Sequence, residues 1–286
     1  MAKGKLLRDT LNIADVIKKE SAGWTLLNNK LMRLFFDDNK EAAQLMLNVI
    51  LGRTDLIVKS SRTEQYIEGM RWRSVALDIL AVDEKDNKYD IEIQRDIKKA
   101  TPKRARHYSA MMDSHMLLPD QDTRDMRDSY VIFITETDKF KHNKPLYRIE
   151  RMNLDTNRRF NDGSHIIYVN GACQDSDTEL GRLMHDLQCA DPDQMHYDIL
   201  ASKMRYYKNT EEGDKKMRDL IDEIIDEIRE ETREEARAEA LAEGAEQKQI
   251  EVAIKMIARG DSINDVADIT GLSVEKVTEL AGAKAS

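Results

Sequence analysis

The sequence predicts an α/β fold followed by an α-helical C-terminal extension, and three observations predict it. Apolar residues recur at three-to-four spacing from Thr25 to Leu51, the spacing of a helix face. From Arg71 to Gln94 they alternate instead, the period of strands. Past Gly213 the composition turns rich in Glu, Arg and Ala. With 286 residues and 41% of them apolar, the chain can bury a core in one or two domains. We expect a globular domain over 1–210, a charged helical linker or oligomerisation arm over 211–249, and a small helix-turn-helix-like tail over 250–286.

In chain order, Leu27, Leu31, Leu34 and Phe35 and then Ala42, Leu45, Met46, Val49 and Ile50 make the first helical stripe, with Gly52 as its stop. Val75, Leu77, Ile79 and Ala81 alternate with Ser74, Ala76, Asp78 and Leu80 in a first strand, Arg71 to Asp83, filling one of its faces. The turn-forming Glu84-Lys85-Asp86-Asn87 leads to a second strand, Lys88 to Gln94. Pro102 suits a first helical turn, and the pattern continues through Tyr108, Met111 and Met112 to Leu117. Tyr130 to Thr135, continuously apolar and β-branched, predicts a buried strand. Tyr147 to Met152 and His165 to Val169 are shorter strand candidates separated by a turn at Asp162-Gly163, and Leu180 to Leu187 has helical spacing. Beyond Gly213 an apolar stripe (Leu220, Ile221, Ile224, Ile225, Ile228) gives way to a row of Arg229, Arg233 and Arg237 beside an acidic row, the mark of a solvated helix. Ile250 to Ile257 regains apolar spacing, and Asp261 to Leu280 predicts two short helices around Thr270-Gly271.

Composition narrows the function classes. Cys173 and Cys189 are the only cysteines and lie in no CxxC or Cys/His cluster, so neither a disulfide framework nor structural zinc is expected. Met1 to Arg8 lacks the apolar core of a signal peptide, and no apolar run approaches the roughly 20 residues of a membrane span. A cytoplasmic, soluble protein is expected. The net charge of −9 is carried by one stretch, Glu211 to Glu251, with 16 acidic against 7 basic residues. The near-neutral remainder holds a basic run, Arg95, Lys98, Lys99, Lys103, Arg104 and Arg106, opposed only by Asp96, so a nucleic-acid partner is compatible with the acidic total.

The hairpin carries the chemistry. Asp78 lies on one face of its strand, and Asp90, Glu92 and Gln94 share one face of the next. A turn centred on Lys85 sets Asp78 opposite Glu92 and Ala76 opposite Gln94, with Cβ atoms of opposed residues roughly 4.5–5.5 Å apart. Two carboxylates that close repel unless a cation lies between them, and an all-oxygen pair suits Mg2+ or a similar ion such as Mn2+. Such an ion makes a water acidic enough to attack a phosphodiester and stabilises the resulting charge, while Gln94 can orient water or phosphate. The helix that follows carries Lys103, Arg104, Arg106, His107 and Tyr108, which would bind DNA phosphates. The residues alone leave open a solvated sheet face for the acids and a solvated helix face for the basic run, and His107 by itself reads as a surface histidine.

Taken together, these segments resemble a known family. RSVALDILAVD (Arg73 to Asp83) followed by YDIEIQR (Tyr89 to Arg95) resembles the D…ExQ form of the PD-(D/E)XK nuclease superfamily, and more narrowly the Rpn-type recombination-promoting nucleases, also described as transposases. KRARHYSAMMD from Lys103, YVIFITETD from Tyr130, NDGSHIIYVNG from Asn161 and INDVADITGLS from Ile263 extend the likeness over nearly the whole chain. The resemblance implies a restriction-endonuclease-like core over 1–210, with a mixed sheet flanked by helices, that cuts DNA with Mg2+ in recombination, mobile-element or defence contexts. By position, it makes Asp78 and Glu92 the metal ligands and puts Gln94 where most of the superfamily has lysine. Relatives often carry an Asn-Asp pair where this chain has Asn28-Asn29, so Asn29 removes an acidic contact for which Glu41 and Glu64 are candidate substitutes. The competing expectation is a non-catalytic DNA-binding or interaction protein on a vestigial nuclease fold. The tail is a poor major-groove reader, since Lys276 and Thr278 lie beside Glu275 and Glu279, and self-association suits it better. The long helix points to a homodimer.

Overall fold

In a computed structural model, Lys19, residues 21–67 and residues 75–282 are described. The readings of Met1 to Arg8 and of the strand start, Arg71 to Ser74, fall outside them. The chain divides into two compact units, 15–221 and a second containing 222–286, which are taken separately below.

The first unit opens with two helices where the periodicity predicted one. They are α1 (Asn29–Phe36) and α2 (Lys40–Leu51). The break has a local cause: Asp38 takes a left-handed φ of 52°. Asn39 then serves both ends at once, its side-chain amide donating to Phe35 O at 3.0 Å and its oxygen accepting from Ala42 N at 3.3 Å. Satisfying the orphan groups of two helix ends outweighs an unbroken stripe. Gly52 ends α2 in the left-handed region, φ 64°, as its position predicted.

β1 (Val58–Ile67), β2 (Val75–Asp83) and β3 (Lys88–Gln94) form an antiparallel meander. α3 (Pro102–Asp113), capped by the Thr101 hydroxyl on Arg104 N at 3.1 Å, leads over to β4 (Ser129–Thr135), which pairs parallel with β3. A parallel pair needs such a crossover. β5 (Leu146–Ile149) is followed by a small separate ribbon, β6 (Met152–Asn153) with β7 (Arg158–Arg159), and then by β8 (Ser164–Asn170). The expected strand from Tyr147 to Met152 is therefore split between two sheets. The main sheet is mixed and six-stranded, in the order β1-β2-β3-β4-β8-β5. α4 (Glu179–Gln188) and α5 (Asp198–Asn209) follow, and α6 (Glu211–Arg259) then begins.

Two cores result, one on each face of the sheet. On one, Ile79, Ala81, Ile91, Ile93, Ile132 and Ile134 pack against α1, α2, α4 and α5. On the other, Val131, Phe133 and Tyr168 pack against α3 through Ala105, Tyr108, Met111 and Met112. β2 does not keep to one face as its alternation predicts. Ile79 and Ala81 join the first core, but Val75 and Leu77 join the α3 core, so the strand changes allegiance at Asp78.

The second unit holds the C-terminal run of α6, then α7 (Ile263–Thr270) and α8 (Val274–Gly282), closed on Ala253, Met256, Val266, Ala267 and Val277. Gly271, at φ 72°, makes the turn between the last two helices. Residues 233–249 of α6 are exposed on every face. Ion pairs such as Arg229–Asp226 and Arg233–Glu230 run along its surface, each worth a few tenths of a kcal/mol, or about 0.3–0.5, to an isolated helix.

Candidate active site

The site forms where the β2–β3 ladder stops. Pairing runs from Val82↔Lys88 to Ile79↔Ile91, and one further step of this register brings Asp78 opposite Glu92. There side chains replace the backbone ladder. Asp78 N donates to Glu92 Oε1 at 3.0 Å, and Ile93 N donates to Asp78 Oδ2 at 3.2 Å. Each carboxylate is thus held by the other strand's backbone, which locks both toward one point.

Burial makes the pair costly. Glu92 is 1% exposed and the Asp78 side chain 14%. Asp90, two residues before Glu92 on the same sheet face, is fully buried, and the hydrogen-bonding side chain beside its carboxyl group is another acid, Glu92. The α3 core explains this, because Asp90 and Glu92 pair with Val131 and Phe133 of β4, which line it. Desolvation, with Asp78 next, pushes the Glu92 carboxyl up to about 7. Burial raises Asp78 as well, against the pull of Arg33. Burial and the neighbouring Glu92 raise Asp90 well above the ordinary carboxylate range. Three acids compete for too little stabilisation of charge.

Two arginines approach from opposite sides. Arg104, on α3, donates to Glu92 Oε2 and to Gln94 Oε1, both at 2.9 Å, and to the Tyr108 hydroxyl at 2.8 Å. Its guanidinium also lies 4.9 Å from the centre of the Tyr108 ring. Arg33, on α1, pairs with Glu64 and stands 4.0 Å from Asp78 Oδ1. An open cleft of about 870 Å³ reaches Asp78, with Asn29, Arg33, Gln94, Lys103 and His107 along its walls. That is far more space than an ion and its waters fill, so a large ligand can enter. The cleft sits at the carboxyl end of β3, where open α/β sheets place their ligands.

The predicted site residues fall into three groups. Asp78, Glu92, Gln94 and Arg104 meet around one point. Lys103 and His107 line the cleft on the same face of α3. Arg106 is exposed on that helix and does not line the cleft. Arg104 and Tyr108 also line the cleft, with Arg104 turned onto Glu92 and Gln94 and Tyr108, 8% exposed, packed beneath it. Of the two candidate substitutes for an upstream acid, Glu64 reaches the site through Arg33, while Glu41 lies exposed in the first turn of α2 and does not line the cleft. Sequence reading missed Arg33 and Asp90. Asp90 carried a signal, its shared parity with Glu92. Arg33 carried none, since only the packing of α1 beside β2 brings it to Asp78.

A mixed sheet flanked by helices, with opposed acids where two central strands part, defines a nuclease-like α/β protein. The family model described as PD-(D/E)XK nuclease family transposase matches residues 32–259, and the chain belongs to that family. No curated protein and no solved structure matches it. Among the described residues, no helix is long and apolar enough to cross a membrane.

Proposed function

We propose that the protein is a Mg2+-dependent DNA endonuclease, hydrolysing phosphodiester bonds in recombination, mobile-element or defence settings, with Asp78 and Glu92 as metal ligands and Gln94 as their polar assistant. The observation that carries this reading is the meeting of two buried carboxylates, each held by the opposite strand, one of which, Asp78, lines an open cleft. The donor set fits a hard divalent ion: all oxygen, crowded with negative charge, and with Asp78 Oδ1 free of any closer contact than Arg33 at 4.0 Å. Once bound, such an ion supplies an acidified water and neutralises charge on the reacting phosphate.

The chain's own groups do the rest. Gln94 Oε1 is engaged by Arg104, so the amide nitrogen is left to donate to a water or phosphate oxygen. Arg104 also pairs with Glu92 and opposes the upward push of burial on its carboxyl group. Lys103 and His107 lie where the DNA backbone would enter, with Lys103 supplying a cation to phosphates. Supercoiled plasmid incubated with Mg2+ tests the assignment: wild type should nick it, Asp78→Ala and Glu92→Ala should not, and cleavage that persists in both variants removes these residues from the site.

One observation favours the alternative, a non-catalytic DNA-binding protein on a vestigial nuclease fold. Arg104 already pairs with Glu92 at 2.9 Å, so a protein cation partly does the neutralising work of a metal. Calorimetry with Mg2+ separates the two, because a vestigial site takes up no ion.

A further inference from the structure

The C-terminal half of α4 and the loop before α5 bring together two imidazoles and a carboxylate that the nuclease reading does not use. His185, Asp186 and His196 each offer one donor atom within 4.8 Å of the other two. α4 packs on the sheet face opposite α3, so this cluster and the Asp78–Glu92 pair draw on different cores. We propose that His185, Asp186 and His196 form a binding site for a divalent transition metal of the Zn2+ class, which clips the end of α4 to the segment that leads into α5.

The arrangement is built rather than incidental. Asp186 is fully buried. Its Oδ1 accepts from His196 N at 2.8 Å and its Oδ2 from His196 N and Tyr197 N at 2.9 and 2.8 Å, so the loop is tied to it by backbone. His185 Nδ1 lies 3.1 Å from Asp186 Oδ1. The His185 and His196 rings meet edge to face, with centres 4.8 Å apart. Four-coordinate zinc, with bonds of about 2.0–2.1 Å, holds neighbouring donor atoms roughly 3.3 Å apart. The His185–Asp186 contact is already close to that spacing, and the proton it shares lies between the two donors that an ion would join. The two histidines are half-buried and exposed respectively, so water can complete the coordination shell. His185 lies in the last turn of α4, where the helix dipole favours a cation.

Donor chemistry sets the metal class. Two imidazoles with one carboxylate favour zinc, cobalt, nickel or copper over magnesium and calcium, the reverse of the all-oxygen set at Asp78 and Glu92. Sequence spacing hides the site, because His185 and His196 are brought together only by the turn around Pro192–Gln194. The sequence expectation of no zinc signature came from cysteine patterns, which these ligands do not follow.

The test uses the full chain carrying Asp78→Asn and Glu92→Gln, titrated with Co2+ in excess Mg2+. One Co2+ per chain should bind, with visible absorption of an imidazole-coordinated ion, release of a proton, and displacement by Zn2+. His196→Ala should weaken binding on the order of tenfold or more. It should not cost the fold, because the bonds to Asp186 come from the His196 backbone. His185→Gln should weaken binding similarly, and Zn2+ should raise the melting temperature of the parent chain but of neither histidine variant. No uptake by the parent, or equal affinity in either histidine variant, overturns the proposal.

Discussion

The two ends of the β2–β3 hairpin bury carboxylates in opposite ways. At the turn, Asp83 is 2% exposed and fully employed: it accepts from Lys85 N, Asn87 N, the Asn87 amide and the Tyr89 hydroxyl, each at 2.9 Å. At the other end, Asp78, Glu92 and Asp90 share two arginines and two backbone N–H groups, and the hydrogen-bonding neighbour of Asp90 is itself an acid, Glu92. One acid closes a turn, while three acids are crowded into a place that a cation would relieve. A group that only holds a fold is satisfied by its neighbours. A group left short of partners in a folded protein marks a position kept for something the fold itself does not supply.

Substitutions at the two ends should therefore behave differently, and the largest contrast is in activity. Asp78→Ala and Glu92→Ala should each lower Mg2+-dependent cleavage by more than the roughly 100-fold that loss of an outer-sphere partner costs. Asp83→Ala, assayed below its unfolding temperature, should cleave like wild type. A nick rate unchanged by Asp78→Ala would erase the distinction.

Stability should show the opposite order. Removing Asp83 leaves the turn's four donors without their acceptor, and urea unfolding should show a loss of about 3 kcal/mol. Asp78→Asn keeps an acceptor for Ile93 N but relieves repulsion. Without metal, it should gain about 1 kcal/mol at pH 8, the usual exchange of stability for function at an active site. A destabilised Asp78→Asn would mean that the arginines already balance the acids.

The smallest effect is in pH dependence, and its sign follows from linkage. Glu92 sits near 7 in the folded chain against 4.5 ordinarily, and Asp78 and Asp90 shift in the same direction. As pH rises, the unfolded chain releases these protons first, so the folded state holds more of them between about 4.5 and 7. Metal-free protein should accordingly lose stability across that window, and Asp90, raised well above its ordinary value, should extend the decline. Glu92→Gln should flatten the decline in urea melts. Added Mg2+ should stabilise most at the alkaline end, where the ligands are ionised.

How much of this was legible depended on how local each cause was. The Asp78–Glu92 opposition could be read because alternation and a short turn fix register within one hairpin. β4, β8 and α4 were equally plain from their periodicity. β1 gave no such signal: VKSSRTEQYI is mostly polar, and its place at the sheet edge leaves one side to solvent. α5 also went unpredicted, although its buried Leu200, Ala201, Met204 and Tyr207 have helical spacing. The inward turn of Arg104 and the approach of Arg33 depend on how α3 and α1 pack against the sheet. Neither contact is encoded by spacing within one segment.

Calorimetric titration of the metal-free protein with Mg2+ at pH 8, wild type beside Asp78→Asn, tests the central claim most directly. The account predicts a binding isotherm for wild type that disappears, or weakens well over tenfold, in the variant. Identical isotherms for the two, or no heat from either, would mean that the crowded acids are not waiting for a metal.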